Sequence, residues 1–157
     1  AVETNMVMAD VSGTGKTASL RKLNPANTLL IQAVKKPLPF RSPDWVPCNK
    51  ANPSGAILVT DNSATIVGAM QRTKKPIIVI DDFQYILANE FMRRVTDVEV
   101  GNAAFAKYNE IARHAWDILM AATSLPAYVA ITVAPFFKKA STIPRPMPLV
   151  PPVTMTV

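Results

Sequence analysis

A chain of 157 residues with 49% apolar side chains is long enough to enclose one hydrophobic core and too apolar to be disordered throughout. Its 17 basic and 11 acidic residues leave a net charge of +6, which favours polyanionic partners, although the lysines and arginines are scattered rather than gathered into one patch. Cys48 is the only cysteine, which excludes an internal disulfide, and the longest apolar run, Ala127 to Phe137, is too short and too interrupted by Pro135 to span a bilayer.

The first predicted element is a strand over Met6-Val7-Met8-Ala9. Ser12-Gly13-Thr14-Gly15-Lys16-Thr17 follows, and Ala18 to Leu23 reads as a helix. A strand, a glycine-rich turn, then a lysine and a hydroxyl residue opening a helix make a phosphate cradle. Backbone N–H groups and the positive helix end face the anion, the lysine reaches the terminal phosphates, and the hydroxyl ligates Mg²⁺. Ser12, Gly13, Thr14, Gly15, Lys16 and Thr17 are therefore the candidate nucleotide-binding residues. The pattern departs from G-x-x-x-x-G-K-[ST] at Asp10, where a glycine is expected and an acid would repel a polyphosphate. The competing reading is a turn that only caps a helix.

Pro25 stops that helix, and Thr28 to Ala33 reads as a second strand. Lys36-Pro37-Leu38-Pro39-Phe40 leaves it as an extended segment. Residues 41–56, rich in Pro, Asn and Ser, read as a long surface loop serving as a lid or a subunit contact. Ile57 to Thr60 is a short strand. Asp61 and Ser63 are the cap candidates for a helix through Gln71 that turns Ile66, Val67 and Met70 to one side.

Pro76-Ile77-Ile78-Val79-Ile80-Asp81-Asp82 carries the second half of the chemistry. Four β-branched residues ending in two carboxylates read as a strand buried on both faces, and the carboxyl end of such a strand is where open α/β sheets bind ligands. Asp81 is the candidate Mg²⁺-side acid, with Thr17 its partner at the metal. Asp82 is the candidate catalytic acid that aligns water. The plain alternative is a buried strand followed by a helix cap.

Phe83 to Arg94 reads as a helix with Phe83, Ile86, Leu87 and Phe91 as its apolar stripe. Gly101-Asn102 breaks the chain, and Phe105, Tyr108, Ala112, Trp116 and Leu119 recur at helical spacing, a stripe assigned to the core. His114 on this helix has no cysteine or second histidine nearby and is read as an ordinary histidine, not a ligand. Tyr128 to Val133 is a further buried strand. Six prolines between Pro135 and Pro152 then make an irregular tail that could end in one edge strand, with Lys138, Lys139 and Arg145 giving it a positive bias. The expected architecture is a three-layer α/β/α domain over residues 1–134 with a mostly parallel sheet, followed by the Pro-rich tail, 135–157.

Ser12 to Thr17, Lys36 to Phe40, the run from Asp81 to Arg94 and Ala115-Trp116-Asp117-Ile118 together resemble a family of bacteriophage ATP-binding proteins, P-loop ATPases of the AAA or RecA-like type. The likeness spans about residues 5 to 133, and Asp81 to Arg94 is its most specific part. It implies ATP and Mg²⁺ as cofactors, hydrolysis, and service in phage DNA replication or recombination within a homo-oligomer that acts on DNA. Carried over by position, Lys16 and Asp82 are catalytic, and Thr132 falls where such ATPases place a polar sensor of the γ-phosphate. Arg93 and Arg94 fit two roles, a residue donated across a subunit interface or a solvated helix end favoured by the dipole. The expected location is cytoplasmic, the host cytoplasm for a phage protein. The alternative function is a catalytically inert structural or DNA-associated module that keeps the P-loop fold.

Overall fold

The computed structural model describes the backbone of residues 6–9 and the whole of residues 15–97 and 105–133. Five strands, β1 (Met6–Ala9), β2 (Thr28–Gln32), β3 (Ile57–Val59), β4 (Ile77–Asp81) and β5 (Tyr128–Val133), form one parallel sheet in the order β1-β5-β4-β2-β3. The helices are α1 (Lys16–Ser19), which tightens into a 3-10 turn over Leu20–Lys22, α2 (Ser63–Arg72), α3 (Gln84–Arg93) and α4 (Ala106–Thr123).

Right-handed crossovers explain the layering. The connections β1→β2 and β2→β3 run towards the β3 edge, whereas β3→β4 and β4→β5 run back. The two sets therefore cover opposite faces. One face carries α2, α3 and α4, whose Ile66, Met70, Ile86, Ala115, Ile118 and Ala122 pack on Leu29, Ile31, Ile78, Ile80, Val129 and Ile131. The other face carries the start of the 3-10 turn and the long loop, with Leu20, Trp45 and Ala56 on Leu30 and Val79. Every residue of β2 is buried, as continuous covering on both sides requires.

Several expectations need correction. Residues 41–56 form the expected loop, mostly exposed, but it is anchored rather than bare: Trp45 is buried and packs edge-on with Phe40, and a parallel bridge joins Pro47 to Ile57. The segment is the cover that a sheet face needs where no helix supplies one. Asn62, not Asp61 or Ser63, caps α2, its side chain accepting from Thr65 N at 2.9 Å. Most of the stripe assigned to the core of α4 is its outer face, with Phe105 67% and Trp116 61% exposed, although Leu119 packs against the core. The buried face is Ile111, Ala115, Ile118 and Ala122, whose alanines leave room beside α2 and the sheet. Phe91, also assigned inward, is exposed and rests against Tyr108. Gly101-Asn102 and the Pro-rich tail lie outside the described residues.

Lys75, just before β4, is an internal brace. Its ammonium donates to the carbonyls of Pro25, Thr28 and Gly55 at 2.9, 3.1 and 3.0 Å, tying together the amino ends of β2, β3 and β4. Burial pushes its pKa below the ordinary value. Thr28 next to it is fully buried, and its hydroxyl has no partner among the described residues. Thr28→Val keeps the shape and removes that orphaned group, so it should raise stability by about 1 kcal/mol, read as a higher midpoint in urea with an unchanged slope.

Candidate functional site

The parallel registers bring four strand ends to one edge. Ala9 pairs with Val133, Ile80 with Ile131 and Asp81 with Gln32, so the carboxyl ends of β1, β5, β4 and β2 stand side by side. Beyond β4 the chain leaves towards one face, and beyond β2 towards the other. The crevice between such divergent connections is the place where open α/β sheets accept ligands.

Asp81 is the centre of this edge. Its side chain is fully enclosed, and a buried carboxylate demands partners. Thr132 on β5 donates to Oδ1 at 2.6 Å, and Thr17, at the second residue of α1, donates to Oδ2 at 3.1 Å. The sequence distance between Thr17 and Asp81 is 64 residues, so their meeting is a product of the fold. Lys36 adds its ammonium 2.8 Å from Asp81 Oδ2 and 2.5 Å from Asp82 Oδ2, and stands 3.5 Å from Thr17 Oγ1.

Asp82 has φ 57°, the one non-glycine residue with positive φ among those described. An aspartate tolerates this left-handed conformation at a cost of about 1 kcal/mol. Thr132 imposes it. Its hydroxyl accepts from Asp82 N at 2.9 Å and its carbonyl accepts from Phe83 N at 2.9 Å. The chain thus turns sharply out of β4 into α3, which leaves the Asp82 carboxylate partly open to solvent beside that of Asp81. Thr132, a sensor candidate by sequence, has its hydroxyl engaged with Asp81 and with the backbone of Asp82. It positions the two acids.

The ion pairs set the local charge. Burial alone would lower the pKa of Lys36. The hydrogen bonds and charges of Asp81 and Asp82 outweigh it and hold the ammonium above its ordinary 10.5, so Lys36 is charged throughout the neutral range. Gln32, buried at the end of β2, donates from Nε2 to the Lys36 carbonyl at 3.3 Å and so fixes the turn that carries this lysine.

Of the candidate residues, Gly15, Lys16, Thr17, Asp81, Asp82 and Thr132 are described. Gly15 precedes α1 with φ 86°, a left-handed turn that suits a residue without Cβ. Lys16 opens α1 next to Thr17. Ser12, Gly13 and Thr14 lie outside the described residues, as do Asp10, Lys138, Lys139 and Arg145. Lys36 and Gln32 are site residues that motif reading passed over. The available signal was electrostatic, since a buried acid pair needs a cation and Lys36 lies four residues beyond the end of β2.

Arg93 and Arg94 find acids within the chain. Arg93 pairs with Asp61 at 2.6 Å, beside Asn89, and Arg94 with Glu110 at 2.8 Å and Asp97 at 3.2 Å. His114, half-buried, meets Glu90 at 2.8 Å. An open cavity of about 400 Å³ between Pro25, Asp44 and Ala56 lies at the opposite, amino end of the strands and gathers no cluster of titratable groups.

No metal cage of three or more His, Cys, Asp or Glu side chains occurs among the described residues. Mg²⁺ does not need one, because it retains waters and takes one or two carboxylates together with substrate phosphates. Two carboxylates and a hydroxyl converging on a cationic ammonium suit that requirement. Fold and edge residues define a class, a parallel α/β domain compatible with a Rossmann-like or a P-loop fold. Neither protein-family models nor curated proteins match the sequence. No helix among the described residues is long and apolar enough to cross a membrane.

Proposed function

We propose that the chain is an Mg²⁺-dependent ATPase whose site lies at the carboxyl edge of β4. The observation that carries this reading is the contact between Thr17 and Asp81. A hydroxyl that follows a Gly-Lys pair at the head of one helix touches the first acid at the end of a buried strand. Thr17 and Asp81 would hold the metal, which when bound supplies positive charge against the phosphates. Gly15 and Lys16, with the preceding loop, would bind the β- and γ-phosphates. Asp82, held at the solvent side by Thr132, would align the attacking water.

The resemblance of the sequence to phage ATP-binding proteins extends the proposal to DNA replication or recombination, with a homo-oligomer and DNA as partners in the host cytoplasm. A catalytically inert structural or DNA-associated module that keeps the fold is the second reading. Its motive is the ion pair that occupies the Asp82 carboxylate. A titration with labelled ATP, with and without Mg²⁺, together with an assay of released phosphate, separates the two. Mg²⁺-dependent binding with phosphate release is expected. Binding without release selects the inert module, and no binding in either condition removes the ATPase and leaves a structural or DNA-associated module.

A further inference from the structure

The Lys36 ammonium stands where the oxygens of Thr17, Asp81 and Asp82 converge. Those are the donors that the proposed function assigns to the metal and to the catalytic acid. The seat for a cation therefore already holds one, supplied by the chain itself. It is held from both ends. The carboxylates grip the ammonium, and Gln32 fixes the backbone carbonyl of the same residue. The Lys36 side chain is 30% exposed, unlike the enclosed Asp81, so solvent lies on one side of the arm.

We infer that Lys36 is a built-in counter-ion of the metal seat, one that keeps free divalent metal out of the nucleotide-free protein and yields to metal delivered with a triphosphate. The substrate of the site is then the preformed metal–nucleotide complex, a statement that rests on the ATP reading above. The reason is a balance of charge. A free divalent ion must break both ion pairs of Lys36 and settle for two carboxylates and a hydroxyl, a poor set for an ion that binds best with phosphate oxygens. A metal that arrives on a triphosphate brings those oxygens with it. It also brings negative charge that the displaced ammonium can face, so that neither cation is left without a partner.

The test is equilibrium binding of Mn²⁺ to the nucleotide-free full chain, read from the paramagnetic resonance signal of free Mn²⁺. Lys36→Met should bind Mn²⁺ about tenfold or more tightly than wild type, because the competing charge is gone and the acids are not. Lys36→Arg, which keeps the charge, should bind as weakly as wild type. Adding Asp81→Asn to Lys36→Met should abolish the gain, which locates the ion. An affinity unchanged or weakened in Lys36→Met overturns the inference. Should Lys36→Met not fold in chelator, recovery of the fold with added Mn²⁺ reports the same replacement, and failure to fold at saturating Mn²⁺ counts against it. Mg²⁺-dependent ATP binding by wild type without a Mn²⁺ gain in Lys36→Met defeats the counter-ion and leaves the ATPase reading standing. A Mn²⁺ gain in a protein that binds no ATP upholds the counter-ion and defeats the nucleotide reading.

Discussion

Lys16→Ala is expected to lower ATP turnover by about a hundredfold or more, the usual consequence of deleting one charge-stabilising contact at a reacting phosphate. The same change should move stability by no more than about 1 kcal/mol, as for a surface substitution. The contrast follows from where Lys16 sits. It opens α1, a helix with no buried residue, so the core does not depend on it. Its neighbour Thr17 reaches Asp81, which puts this end of α1 at the carboxyl edge of β4. Phosphate release and a thermal melt on one preparation give both readings. Full turnover by a folded Lys16→Ala protein would remove the lysine from the mechanism.

Gly55→Ala should have the largest effect on stability. A Cβ at residue 55 would lie 2.5 Å or less from Cys48 N and from the carbonyl carbon and oxygen of Pro47. Those are backbone atoms, and they cannot turn aside. Pro47 bridges to Ile57, Cys48 N donates to Ile57 O at 2.6 Å, and Ala56 N donates to Val46 O at 2.8 Å. The neighbouring Ala56 carbonyl also accepts from Leu30 N at 2.7 Å, which ties this corner to β2. Relief requires the loop to move off the sheet, which would expose Trp45. The expected cost is about 3 kcal/mol or more, a drop of roughly 10 °C in Tm for a domain of this size. Retention of the wild-type Tm would mean that the loop does not pack on the sheet in this way.

Much of the fold is legible in the residues. β2, β4 and β5 are continuous apolar runs, the signature of strands covered on both sides, and interleaved helical patterns make a parallel sheet the natural arrangement. Asp81 and Asp82 are marked by standing at the end of such a run. What periodicity could not decide was which of two helical stripes on α4 faces inward. Ile111-Ala115-Ile118-Ala122 and Phe105-Tyr108-Ala112-Trp116-Leu119 are equally regular. The bulkier stripe attracts the assignment, yet close packing against α2 and the sheet selects the one with small residues. Trp45, Lys75 and Lys36 were hidden for another reason. Each acts on residues distant in sequence: a sheet face, three carbonyls of two separate segments, and two acids more than forty residues away. No local pattern encodes those encounters.

The Thr17–Asp81 contact also shows why the glycine-rich turn alone is weak evidence and the assembled edge is stronger. A turn can cap a helix for many reasons. A hydroxyl, two acids and a lysine from three separate segments converge on one point only when the fold brings them there.

A structure of the protein bound to Mg²⁺ and a non-hydrolysable ATP analogue tests the central claim most directly. The expected complex has β- and γ-phosphates against the amides of Gly15, Lys16 and Thr17, the metal between Thr17 and Asp81, and the Lys36 ammonium withdrawn from the acids. A triphosphate bound elsewhere, for instance in the cavity beside Asp44, with Lys36 still paired to Asp81 and Asp82, would contradict it.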